Sequence, residues 1–166
     1  YTTLFRSSPL KFSRLSSRFT MRRFHPVQKR WKAHLGTDYA APRGTPIMAT
    51  SDGVVIKSSY TRGNGKYVKL RHNSVYETQY LHMSKRNVKE GQQVRQGDVI
   101  GYVGSTGLAT GPHVCYRFWK NGKQVDHLKE DFPSAEPIAD SLKADFMQLK
   151  DSLQLKLNEV QLKLDK

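Results

Sequence analysis

Asp98-Val-Ile-Gly-Tyr-Val-Gly-Ser-Thr-Gly-Leu-Ala-Thr-Gly-Pro-His-Val-Cys-Tyr-Arg-Phe118 sets two short runs of β-branched and aromatic residues on either side of a glycine-rich loop. Neither run has the three-to-four-residue apolar period of a helix, and each has the length and composition of a strand. Outward from it the pattern repeats. Thr45-Pro-Ile-Met-Ala, Gly53-Val-Val-Ile-Lys, Lys66-Tyr-Val-Lys-Leu-Arg71 and Tyr76-Glu-Thr-Gln-Tyr-Leu-His82 are strand-like. They are joined by turn sequences, Ser51-Asp-Gly53, Arg62-Gly-Asn-Gly65 and Gln96-Gly-Asp98, with Asn121-Gly122 following the last run. Glycine with asparagine or aspartate at the joins is what tight antiparallel turns require. No amphipathic stretch of helical length interrupts residues 45–118, which argues against a parallel α/β fold. The body is expected to be mainly β and antiparallel.

The chain of 166 residues changes character near its end. From Glu136 there is no glycine, and Leu142, Phe146, Leu149, Leu153, Leu157, Val160 and Leu164 recur at three- or four-residue steps between five lysines and six acids. This predicts one long amphipathic helix, or two short ones, starting near Pro137. The alternation Leu153, Leu155, Leu157 also permits a strand. Such a helix either packs on the β body or docks on another chain. The organisation expected is a lead-in over 1–11, a β domain over 12–128, and a linker with a C-terminal helix over 129–166.

Composition narrows the function. The net charge is +14, and residues 1–37 hold nine Lys or Arg with no acid before Asp38. That excess favours a polyanionic neighbour: nucleic acid, an anionic lipid face or an anionic cell-wall polymer. The aromatics follow no base-stacking motif, so no nucleic acid is expected as partner. No run of 18 apolar residues exists, so no transmembrane segment is expected. No charged segment followed by an apolar stretch opens the sequence; a signal peptide, if the protein has one, is expected to lie outside these residues. The one cysteine, Cys115, excludes an internal disulfide and a Cys-x-x-Cys zinc ribbon.

The chemistry-bearing residues fall into three segments. In His34-Leu-Gly-Thr-Asp38, Gly36 and the nearby Pro42 and Gly44 disfavour a helix, so the imidazole and the carboxylate must meet through a turn or bent strand, as half of a zinc site or as a simple His–Asp hydrogen bond. In His113-Val-Cys115, residues two apart on a strand face the same side, while Val114 and Tyr116 face the other. By itself the pair also fits a buried free cysteine beside a hydrogen-bonded histidine. His82 ends the strand Tyr80-Leu-His82. His25, His72 and His127 have no comparable company and are expected to be structural. The loop Gly104–Gly111 lacks the Gly-Lys-Ser/Thr ending of a phosphate loop and is expected to shape a groove wall. The segment Glu90–Gly101 looks like the hairpin of biotinyl and lipoyl carriers, but no carrier lysine stands nearby.

Taken together, the order Ser16-Ser-Arg-Phe19, His25-Pro26, His34-Leu-Gly-Thr-Asp38-Tyr-Ala-Ala-Pro42, Gly44-Thr-Pro46, Asp52-Gly-Val-Val55, Gly65-Lys-Tyr-Val-Lys-Leu-Arg-His72, Tyr80-Leu-His82, Gly91-to-Gly101 and Gly104-to-His113 resembles the M23 zinc metallopeptidase domain of lysostaphin or LytM type, over about residues 12–128. The resemblance implies a small antiparallel fold of two sheets forming a groove, and an endopeptidase that hydrolyses peptide bonds of bacterial peptidoglycan. It implies one zinc ion held by His34, Asp38 and residue 115, with His82 and His113 as the catalytic pair. It also implies action in the bacterial cell envelope, in the periplasm. Position 115 departs from the family pattern, which has histidine there. Thiolate is a competent zinc ligand, but it brings the ligand charge to −2, where two imidazoles and a carboxylate give −1. A formally neutral centre polarises water and substrate less, so reduced activity is expected. The alternative reading is a weak or inactive LytM-like module that binds peptidoglycan or serves as scaffold or activator for another envelope protein through its C-terminal helix.

Overall fold

A computed structural model of the chain describes residues 8–25, 28–132 and 140–164. Two units separate along the chain, one over 1–133 and one over 134–166.

Thirteen strands are described in the first unit: β1 (Arg14–Ser17), β2 (Thr20–His25), β3 (Arg30–His34), β4 (Thr37–Ala40), β5 (Pro46–Met48), β6 (Gly53–Thr61), β7 (Gly65–Arg71), β8 (Tyr76–Met83), β9 (Lys85–Arg86), β10 (Gln93–Val94), β11 (Val99–Tyr102), β12 (His113–Lys120) and β13 (Lys123–Val125). Eight form the main sheet, in the order β1-β4-β12-β8-β7-β6-β10 with β13 also on β12; β5-β11-β9 form a second sheet, and β2-β3 a separate hairpin. Every pairing is antiparallel. The fold is mainly β with a C-terminal helix, as the sequence leads one to expect.

Period-two patterning builds the core. Along β12, Val114, Tyr116 and Phe118 are buried in a cluster with Val68, Leu70, Tyr80, Ile47 and Ile100. Burial of such side chains contributes roughly 1.5–3 kcal/mol each before chain entropy is counted. Leu10 and Phe132 belong to the same cluster, so it is closed by residues well before and after the regular strands. Thr50 joins the hydroxyls of Tyr80 and Tyr116, each at 3.0 Å, and Thr78 donates to Tyr80, so these buried phenols keep hydrogen-bond partners. Asn121 and Gly122 both adopt positive φ, 49° and 74°, which makes the two-residue turn between β12 and β13.

The N-terminal strands differ from the β-run expected over 45–118. Residues 14–40 form four strands although their apolar residues do not alternate cleanly. In β2 and β3 the hairpin is secured by ladder hydrogen bonds and by the cross-strand pair Phe24–Trp31, whose rings meet edge-on at 6.0 Å while both remain largely exposed.

The second unit is one helix, α1 (Asp140–Leu164). It is a single helix and not a pair of short ones, and the strand option at Leu153–Leu157 is overturned: the three-to-four-residue recurrence across the whole segment outweighs the local alternation. The expected start near Pro137 lies outside the described residues. No described helix is long and apolar enough to cross a membrane.

Candidate active site

Three neighbouring strands of the main sheet and the end of the β2–β3 hairpin converge on one cavity. His34 closes β3, and Leu35-Gly36 turns the chain into β4, where Asp38 sits directly opposite Cys115 of β12. His113 and Cys115 lie on one face of β12, and His82 comes from the end of β8, the strand on the other side of β12. All five expected residues line the cavity, together with Arg23, Lys32, Asn64, Leu108, Thr110 and Arg117. His72 and His127 go elsewhere. His72 engages the Asp52 carbonyl and the Thr78 hydroxyl, and His127 bonds the Tyr39 hydroxyl and meets Tyr116 edge-on. The His25 side chain and Pro26 lie outside the described residues.

Ligand-type atoms of His34, Asp38 and Cys115 all lie within 4.8 Å of one another, and all three residues are buried. His34 Nε2 is 3.0 Å from Asp38 Oδ1 and 3.6 Å from Cys115 Sγ. Ligand atoms of a tetrahedral zinc with bonds of about 2.0–2.3 Å stand roughly 3.3–3.7 Å apart, close to these separations.

Tautomers follow from backbone partners, because a carbonyl only accepts. Nδ1–H of His34 donates to the Arg18 carbonyl at 3.0 Å, that of His82 to Thr106 at 2.8 Å and that of His113 to Gly111 at 2.8 Å. When neutral, each ring therefore turns an unprotonated Nε2 into the cavity. His34 Nε2 then faces a carboxylate oxygen at 3.0 Å, acceptor against acceptor, an arrangement that needs a cation or a proton between them. The donor set of imidazole, carboxylate and thiolate fits zinc.

Burial works to raise the Asp38 pKa, but hydrogen bonding and charge from His34, with His113 and Cys115 adding, carry it below the ordinary carboxylate value. Arg23 approaches the other oxygen, Oδ2, at 3.5 Å while its Nη1 donates to Ser17 at 2.6 Å. Burial pushes the Cys115 thiol up to about 12, with Asp38 adding and Arg117 opposing, so a bound cation is what would deprotonate it. Burial lowers His82 to about 4, helped by the nearby His113 and opposed by the Thr106 carbonyl. The His82 ring is therefore neutral at pH 7.

The support of His82 was not signalled by any motif. Its backbone holds φ at 63°, a left-handed conformation costing about 1–2 kcal/mol for a residue with a Cβ. Its N–H donates to the Asn64 carbonyl at 2.9 Å and its own carbonyl accepts from Thr106. The glycine loop makes this possible: a side chain on Gly104 would strike the His82 carbonyl, and one on Gly107, at φ 77°, would strike Gly65. Leu108 and Thr110 of the same loop line the cavity, matching the groove-wall expectation. Arg18, Gly111, Thr106 and Arg117 also act at the site, and sequence spacing pointed to none of them.

With this geometry in hand, the profile of peptidase family M23 is found to match residues 32–127. The chain belongs to peptidase family M23. It is 50% identical over 143 residues to the peptidoglycan DD-endopeptidase ShyC of Vibrio cholerae, covering 86% of this chain and 33% of that protein. To the DD-carboxypeptidase/endopeptidase Mpg of Neisseria meningitidis it is 44% identical over 132 residues, covering 80% and 30%. A zinc-containing peptidase from Vibrio cholerae superposes with a TM-score of 0.70 at 42% identity, over 75% of this chain and 39% of that one. The catalytic domain of lysostaphin from Staphylococcus simulans does so at 0.63 and 29%, over 70% and 90%. The M23 chain described here spans about a third of the length of the curated relatives it matches. M23 is a family of zinc metallopeptidases, and the match includes the strands that carry the buried cluster.

Proposed function

We propose that the β unit is a zinc metalloendopeptidase that hydrolyses peptide bonds of bacterial peptidoglycan in the periplasm. The observation that carries this reading is the convergence of His34 Nε2, an Asp38 oxygen and Cys115 Sγ, with two further imidazoles beside them whose Nδ1 atoms are held by backbone carbonyls. His34, Asp38 and Cys115 would hold one zinc ion. Zinc bound there supplies Lewis-acid polarisation of the scissile carbonyl and a lowered pKa for water.

The chain's own residues do the rest. His82 and His113 stand with ring centres 4.7 Å apart, each fixed by its Nδ1 hydrogen bond. One Nε2 accepts the proton of the attacking water. Once protonated, it or its neighbour stabilises the developing oxyanion and returns a proton to the leaving amine. The carbonyls of Thr106 and Gly111 hold the imidazolium that forms, since each already accepts the opposite N–H. Arg23 and Lys32 at the cavity wall give it a positive rim, which favours the carboxylates of wall peptides.

Zinc-loaded protein incubated with purified peptidoglycan tests the reading. New amines and shortened muropeptides, released only while the metal is present, are expected. Peptidoglycan binding without cleavage would overturn the peptidase reading in favour of a binding module.

A further inference from the structure

A catalytic zinc held by two imidazoles and one carboxylate keeps a net charge of +1, whereas imidazole, carboxylate and thiolate bring the centre to zero. A positive group beside the sulfur would return the balance to that of the two-imidazole centre. Arg117 is in position to be that group. It follows Cys115 by two residues on β12 and so emerges on the same face, and both line the cavity. Across from them Gly36 presents no side chain. A Cβ there would lie 3.0 Å from both Arg117 Cγ and Cys115 Sγ, which places the arginine stem beside the sulfur. The Arg117 Nε is fully buried and has no hydrogen-bond partner among the described residues. An unpartnered buried guanidinium nitrogen is unfavourable, and a thiolate is an acceptor that would satisfy it.

We propose that Arg117 is a positioning residue for the metal site, its guanidinium holding the Cys115 sulfur as a metal-bound thiolate and offsetting the extra negative charge the cysteine introduces. This rests on the zinc-site reading above and goes beyond it: cysteine and arginine act as one unit, in which neither is neutral to exchange alone.

The test combines cobalt substitution with a double-mutant cycle on the full chain. Cobalt bound by Cys115 gives a sulfur-to-metal charge-transfer band. A cation against the sulfur lowers its lone-pair energy and moves that band to shorter wavelength. Arg117→Met is expected to move the band to longer wavelength and Arg117→Lys to hold it near its original position. In zinc competition against a chelator, Arg117→Met should weaken binding about tenfold in the native background, within the range of a charge-assisted hydrogen bond. It should leave binding unchanged or tighter in the Cys115→His background, where the arginine only repels the metal. Folding of each variant is read from its circular dichroism, and the Cys115→His, Arg117→Met pair serves as the folded reference. An unmoved band with equal effects of Arg117→Met in both backgrounds would overturn the inference and leave the peptidase reading standing. Cobalt binding without a charge-transfer band would remove Cys115 from the ligand set and overturn the inference likewise. Failure to bind either metal would overturn the peptidase reading, and this inference with it.

Discussion

Asp38 and Cys115 are directly opposed residues of the antiparallel pair β4–β12, so their carboxylate and sulfur leave neighbouring strands side by side. A two-strand platform of this kind is stiffer than a loop, and it leaves only His34, across the Leu35-Gly36 turn, to be brought in. The Gln124 side chain donates to the Leu35 carbonyl at 3.1 Å, and Ser16 donates to that of Asp38 at 3.1 Å, so the turn is held from both sides.

Removing the sulfur should therefore empty the site without unfolding the sheet. Cys115→Ala is expected to reduce zinc affinity by more than the 10–100-fold typical of outer-shell changes, roughly 100-fold or beyond, with thermal stability of the metal-free chain nearly retained. Cys115→His should retain zinc and raise hydrolysis. Metal analysis of dialysed protein, paired with peptidoglycan digestion, reads both.

His82 is expected to separate chemistry from metal binding. His82→Ala should lower kcat by about 10²–10⁴-fold while zinc content is unchanged, because in the proposed mechanism the ring carries a proton and it contributes no atom to the buried three-residue cluster. Equal loss of zinc and of activity would place His82 among the ligands.

The glycine loop should behave as part of the catalytic apparatus. Gly107 sits at φ 77° against the backbone of Gly65, and its neighbour Thr106 fixes His82. Gly107→Ala is expected to destabilise the fold by about 1–3 kcal/mol and to lower kcat more than KM rises. Denaturant unfolding and steady-state kinetics on one preparation measure the two effects.

How much of this was legible in the sequence depends on what each residue responds to. Runs of β-branched and aromatic residues bounded by glycine turns mark β6, β7, β8 and β12, and the two-residue period of a strand puts His113 and Cys115 on one face, so strands and half the site could be read directly. The β2–β3 hairpin could not, because neither of its faces is buried enough to impose alternation: Met21, Phe24 and Trp31 stay exposed among arginines and lysines. The carbonyls of Arg18, Thr106 and Gly111 were invisible for a different reason. A backbone acceptor carries no side-chain signature, and only the folded chain shows which carbonyl an imidazole will find. Arg117 is one of 28 lysines and arginines in the sequence, and only the folded chain sets its stem beside the sulfur, across from Gly36.

Acid should weaken the fold through a histidine remote from the site. Burial lowers His127 to about 4 against the usual 6.5, with Asp126 opposing. Between those values the unfolded chain binds a proton that the folded chain does not, so stability rises with pH across this window and is lost as pH falls through it. His127→Gln, which can still bond the Tyr39 hydroxyl, is expected to flatten the stability profile between pH 4 and 6.5 in urea unfolding. An unchanged slope would show that His127 is protonated in the folded state.

The central claim is that one imidazole, one carboxylate and one thiolate of this chain share a single zinc ion. X-ray absorption at the zinc edge of the stoichiometrically loaded protein addresses it most directly. The account predicts one sulfur at about 2.3 Å with nitrogen and oxygen neighbours at about 2.0–2.1 Å, the sulfur shell vanishing in Cys115→His. A first shell of nitrogen and oxygen alone in the native protein, or no stoichiometric zinc, would contradict it.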